Sequence, residues 1–209
     1  MTAQPQPAAT WRDFEQVQLG PILCHALDAF HENGFHGTTV RDLARRVGVT
    51  VPALYYHHEN KEAILVALLE SAVRTLIDRC RAAVADAGDD PVLRFSYFFE
   101  AVVLNMTHRA RPSALDSEVR HLSPENRRAY AATRKELELM MLALVTEGVD
   151  AGVFVVDDVP GTVRALLGMG QSIARWFQPD GPLTPDDVAD RYTAIALRVV
   201  GCPAPPAHA

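Results

Sequence analysis

Residues 38–65, TTVRDLARRVGVTVPALYYHHENKEAIL, decide the fold. Val40, Leu43, Ala44 and Val47 recur at offsets of 0, 3, 4 and 7, the apolar stripe of a helix laid on a core. Thr39 stands where an N-cap is needed, and Asp42 can reach back to it in a variant capping box. Gly48 follows the stripe, where a helix commonly closes through a left-handed residue. Thr50 is a second N-cap, with Pro52 in the first turn, where a missing N–H does no harm. A helix of about nine residues, a turn of about four and another helix thus fall within about 20 residues, the size of a helix-turn-helix unit.

The second of these helices is oddly composed for a structural element. Leu54 is its one evident anchor, surrounded by Thr50, Val51, Ala53, Tyr55, Tyr56, His57 and His58, with Asn60 and Lys61 opening the next helix. Tyrosine and lysine hydrogen-bond phosphate oxygens. Small residues at the start of a recognition helix let it descend into a major groove roughly 12 Å wide, where methyl groups meet thymine. For Tyr55 or His57 alone, a half-buried aromatic on a polar face explains the residue at least as well. The whole set in this order does not fit that reading.

From about Ile22 to Leu69 the chain resembles the N-terminal domain of the TetR-type transcriptional repressors. The resemblance is carried by Phe30 to Phe35, Thr38-Thr39-Val40, Ala44, Gly48-Val49, Leu54-Tyr55-Tyr56-His57 and Lys61-Glu62. His58 departs from it, because the family usually has Phe there. The resemblance implies phosphate contacts for Thr39, Thr50, Tyr56, His57 and Lys61, and base-edge or sugar contacts for Val51, Ala53 and Tyr55. Arg41, at the start of its helix, is a candidate further phosphate contact.

Charge complicates the picture. The chain carries −6 overall, and residues 1–60 hold four arginines against six acidic residues. A non-specific polyanion binder would be basic, since phosphate neutralisation dominates such affinity. Binding here must rest on a few placed contacts and on dimer symmetry, and an acidic body limits non-specific association. Cys24, Cys80 and Cys202 are scattered and odd in number, which fits reduced thiols rather than a disulfide framework. The start lacks the basic and apolar regions of a signal peptide, and no apolar run reaches the roughly 18 residues of a membrane span. A cytoplasmic protein with no membrane partner is the expectation.

Outside residues 38–65 the chain reads as helix throughout, an all-α fold. Residues 1–65 form the DNA-binding domain, with 1–15 expected to be disordered. Residues 66–202 form a helical effector-binding and dimerisation domain, and 203–209 a disordered tail. An apolar stripe through 61–86 makes one long helix shared by both units. Further helices are expected from Pro91 to about His108, Ser113 to His121, Pro124 to about Asp150, Asp157 to Phe177 and Thr184 to Val200.

Phe95, Phe98, Phe99, Val102 and Met106 share one helix face, with Met141 and Trp176 on later helices. Such a stripe is ordinary core packing in most helices, yet pockets between bundle helices are lined the same way. With Arg120 and His121 as polar members, these are the candidate effector-binding residues, since TetR-type proteins generally carry an effector pocket in this region. Ala165, Gly168, Met169, Ser172 and Ile173 mix small and apolar residues on one helix, with Ile195, Leu197 and Val199 on the next. A glycine inside a helix costs about 1 kcal/mol relative to alanine, which tight packing offsets. The resemblance implies a four-helix dimer interface with two helices from each subunit.

No P-loop, nucleophile elbow, dinucleotide fingerprint or metal-ligating histidine pair is present, so neither an enzyme nor a cofactor is expected. The reading is a bacterial homodimeric repressor that leaves a palindromic double-stranded DNA operator when a small, mainly apolar effector binds. The ending WFQPDGPLTPDDVADRYTAIALRVV is similar to an actinobacterial-style subset associated with lipid or acyl-CoA catabolism. The alternative is an all-α ligand-binding or interaction protein that has lost DNA binding.

Overall fold

The computed structural model describes residues 10–14, 19–109, 112–113 and 115–202. The expected tail 203–209 and the rest of 1–15 lie outside the described residues.

Helix α1 (Pro21–Gly37) is interrupted at Gly34, whose φ of 68° only glycine adopts readily. The Thr38 hydroxyl closes that end, donating to Ala29 O at 3.0 Å and Gly34 O at 2.9 Å. Helices α2 (Val40–Val47) and α3 (Val51–His57) follow with the caps their sequence calls for. Thr39 Oγ1 accepts from Asp42 N at 3.1 Å, Gly48 is left-handed at φ 79°, and Thr50 Oγ1 accepts from Ala53 N at 3.3 Å. Helix α4 (Lys61–Asp86) starts at Asn60, which caps Ala63 N at 2.8 Å. Phe30, Leu43, Leu54 and Leu65 meet in a shared core, and burial of each stabilises by roughly 1.5–3 kcal/mol.

The body is built around α5 (Pro91–His108), a helix buried on most of its surface. It is packed by α4 and by three later helices, α6 (Pro124–Asp150), α7 (Val159–Trp176) and α8 (Pro185–Val199). Thr184 and Asp187 form a full capping box at the start of α8. Within the helix expected over Ser113–His121, Leu115–His121 form a 3-10 turn rather than an α-helix. Leu115, Leu122 and Tyr130 insert into the core of the N-terminal unit, so the two units share packing across the boundary drawn at residue 65. Leu68 and Leu69, beyond that boundary, also belong to the N-terminal core.

The N-terminal segment corrects one expectation. Residues 10–14 are docked on the body rather than disordered: Trp11 is buried and its indole N–H donates to Asp86 at 2.9 Å. Arg12 grips Glu100 through two bonds of 2.8 and 3.0 Å, and Phe14 stacks on His108 with ring centres 4.1 Å apart. Two aromatic side chains give this short stretch the apolar area that its Pro- and Ala-rich neighbours lack. The three cysteines are free thiols, Cys80 and Cys202 buried and Cys24 exposed. Among the described residues no helix is long and apolar enough to cross a membrane.

Candidate functional site

Helix α3 is held by a single buried side chain, Leu54, at 1% exposure. Its other side chains face outward: Thr50, Ala53, Tyr55, Tyr56 and His57 are exposed and Val51 is half-buried. Tyr56 is 87% exposed, an uncommon position for a large aromatic, and its ring meets that of His57 edge-on. Helix α2 lies beside it with Thr39 and Arg41 exposed. Two of its arginines are engaged, Arg45 with Asp42 at 2.8 Å and Arg46 with Glu32 at 2.6 Å. Arg41 has no such partner among the described residues. One face of the protein therefore gathers hydroxyls, aromatic rings and an uncommitted guanidinium around a protruding helix, a surface suited to phosphates and base edges. His58 ends α3 half-buried, where burial pulls its pKa below the usual histidine value.

Lys61 sits differently from the other sequence candidates. Its ammonium donates to Phe35 O at 2.6 Å and Thr38 O at 2.8 Å, and lies 4.2 Å above the Phe35 ring. It clamps the end of α1, so two of its three donors face protein rather than solvent.

The junction between the units is polar and specific. Glu62 accepts from Ser123 N and from Asn126 Nδ2, both at 2.7 Å, tying α4 to the start of α6. Glu118 accepts from Phe35 N at 3.2 Å, and the His36 and His121 rings meet at 2.9 Å between nitrogens. The bonds from Ser123 and Asn126 hold the Glu62 carboxyl below the ordinary 4.5. A depressed carboxyl contributes stability that is present above its unfolded value and lost as pH falls through its folded value. The gap in melting temperature between wild type and Glu62→Gln is therefore expected to be constant above about pH 4.5 and to close in more acidic buffer. A gap that widens on acidification contradicts this.

A cavity of about 530 Å³ lies between α4, α5, the 3-10 turn, α6 and α7. Leu76, Val102, Met106, Leu137 and Leu167 supply its apolar wall. Asp116 spans part of it, accepting from Tyr130 OH at 3.0 Å and paired with Arg134 at 3.0 Å. Burial and the Asp116 charge push the Tyr130 phenol up.

Of the sequence candidates, Val102 and Met106 line this space. Phe95, Phe98, Phe99 and Met141 do not: all four are fully buried core, and the rings of Phe95 and Phe99 stack on each other. Arg120 and His121 lie at the junction with α1, and Trp176 is a surface residue stacked on Tyr192. Sequence reading missed Asn105, Arg134, Tyr130 and Arg175, all on the cavity wall. The available signal was Asn105, a polar residue inside an apolar run.

On α7 and α8 the candidate interface splits. Ile173 and Leu197 are buried in their own subunit's core and offer nothing to a second chain. Gly168 and Ser172 line the cavity. Ala165, Ile195 and Val199 are exposed and Met169 half-buried, so an apolar face does remain on these two helices.

Residues 22–68 match the family model described as bacterial regulatory proteins, tetR family, and residues 88–200 match tetracyclin repressor-like, C-terminal domain. The HTH-type transcriptional repressor KstR2 of Mycobacterium tuberculosis is 32% identical over 184 residues, covering 85% of this chain and 90% of that protein. Its solved structure, described as a ketosteroid transcriptional regulator, superposes with a TM-score of 0.76 at 29% identity, covering 88% of this chain and 95% of that one. The regulator PfmR from Thermus thermophilus gives 0.78 at 34% identity, covering 85% and 97%. AibR, solved with isovaleryl coenzyme A and operator DNA, gives 0.76 at 25% identity, covering 83% and 95%. With an exposed recognition helix, a helical body and likeness along both units, the chain belongs to the TetR family: it is a non-enzymatic, helix-turn-helix, DNA-binding transcriptional repressor.

Proposed function

We propose that the protein acts as a homodimer on a pseudo-palindromic operator and is released by a small, mainly apolar effector held in the cavity of each subunit. The observation that carries the DNA half of this reading is the exposed row of α3 beside the uncommitted Arg41. Val51, Ala53 and Tyr55 face base edges, while Thr39, Arg41, Thr50, Tyr56 and His57 hold phosphates. The exposed apolar face of α7 and α8, including Ile195 and Val199, supports pairing of two copies. Two half-sites about 34–36 Å apart, or somewhat more, then follow from the two-fold symmetry.

The effector reading rests on the cavity and on what similar proteins bind: isovaleryl coenzyme A in AibR, and a ketosteroid connection in the description of KstR2. Release would travel through the 3-10 turn as well as α4. Asp116 and Ser117 border the cavity, and Glu118 and His121 in the same turn touch α1. A ligand that displaces the turn therefore moves α1 and, with it, the recognition helix. A packed interior transmits such a displacement because it has little spare volume to absorb it.

Footprinting on genomic fragments bound at two salt concentrations tests the DNA half; protection of two related half-sites is expected. Arg41→Ala should lower the slope of log affinity against log salt by about 0.9 per subunit. Tyr56→Phe should weaken all operators alike, by roughly tenfold. Equal binding of wild type and both variants places the DNA surface elsewhere.

A further inference from the structure

Among the described residues, one fully buried side-chain oxygen on the cavity wall is left without a hydrogen-bond partner. Asn105 is 3% exposed, and its amide oxygen has no hydrogen-bond partner among the described residues. It lines the cavity together with Val102 and Met106 of its own helix. Nearby polar groups satisfy one another instead: Asp116 takes both the Tyr130 hydroxyl and the Arg134 guanidinium. A buried acceptor left without a donor is unfavourable by more than a made bond returns. Such an orphan in a sealed core would be a defect, whereas on the wall of a ligand-sized cavity it marks where a ligand donor fits.

Ketones, esters and carboxylates cannot relieve an orphaned oxygen, because none of them donates. A hydroxyl both donates and accepts, so it suits the amide whichever way it is turned. Arg175 lines the same cavity from α7, is exposed, and makes no ion pair among the described residues. It is an exposed cation on the wall of a space that Leu76, Leu137 and Leu167 also line.

We propose that the cavity binds a hydroxylated apolar acid, with the hydroxyl on Asn105, the hydrocarbon along the leucines and the anionic end at Arg175. This deepens, and rests on, the reading of the cavity as a ligand site.

Calorimetry on the full chain with three probes tests it: 12-hydroxydodecanoate, dodecanoate and 1,12-dodecanediol. The hydroxy acid should bind at least tenfold more tightly than dodecanoate and more tightly than the diol. Asn105→Leu should erase or invert the preference for the hydroxyl, and Arg175→Gln should erase the preference over the diol. Dodecanoate binding as well as the hydroxy acid in the wild type, or no probe binding, overturns the proposal without any variant being needed. Displacement of operator is measured in parallel. Hydroxyl-dependent binding that leaves operator bound upholds the ligand chemistry and refutes the regulatory role. Release by dodecanoate and the hydroxy acid alike upholds the regulatory role and refutes the hydroxyl requirement.

Discussion

Gly148→Ala is expected to lower the melting temperature by roughly 6–12 °C, which corresponds to a loss of about 3 kcal/mol. Gly148 lies in the last turns of α6, where the chain folds back so that Phe154 N donates to Gly148 O at 3.0 Å. The Phe154 ring rests directly on the glycine: a methyl group there would fall 2.7 Å from Cγ of the ring and closer still to Cδ2 and Cε2. The ring cannot swing aside, because it is 3% exposed and packs edge-on against Phe95 at 5.3 Å. Helix propensity alone favours alanine by about 1 kcal/mol, so the sign of the effect decides between local preference and packing. Thermal melts of Gly148→Ala, Phe154→Ala and the double variant check the assignment. With the ring removed, the added methyl should no longer be harmful. A double variant as damaged as the sum of the singles would show that the contact is not the cause.

The second large effect is expected at Lys61→Met. Two hydrogen bonds from a charged donor to Phe35 O and Thr38 O hold α1 against the start of α4, and such bonds contribute about 1.5–3 kcal/mol each. Methionine keeps the stem over Phe35 but leaves those carbonyls without their donor, so a loss of roughly 2–4 kcal/mol is expected. Operator affinity should fall with stability, because the recognition helix is positioned by the same small core. The salt dependence distinguishes this from a direct phosphate contact. A clamp leaves the salt slope unchanged, while a phosphate contact lowers it by about 0.9. A variant of wild-type stability with a reduced slope would restore Lys61 to the DNA contacts that family resemblance implies.

Much of the N-terminal unit was legible because its determinants are local. Thr39, Gly48, Thr50 and Pro52 act on backbone groups within four residues, so helix ends and the turn could be read without knowing what lies opposite. The exposure of Tyr55, Tyr56 and His57 followed from there being one apolar anchor, Leu54, in a helix of seven residues. The same logic failed for residues 10–14, whose order depends on Asp86, Glu100 and His108, far along the chain. It also failed for the cavity. The stripe of Phe95, Phe98 and Phe99 was visible, but the same apolar periodicity describes a packed core and a pocket wall.

The amino-acid sequence by itself determined the helix-turn-helix, its caps, the all-α class and the outward-facing side chains of α3, because each rests on neighbours within one or two turns. Tertiary structure alone decided that Lys61 clamps α1, that Ile173 and Leu197 belong to their own subunit's core, and that Asn105 lines a cavity with its oxygen unpaired among the described residues. Those outcomes depend on which surfaces meet across long chain separations, and on whether the meeting fills the space between them.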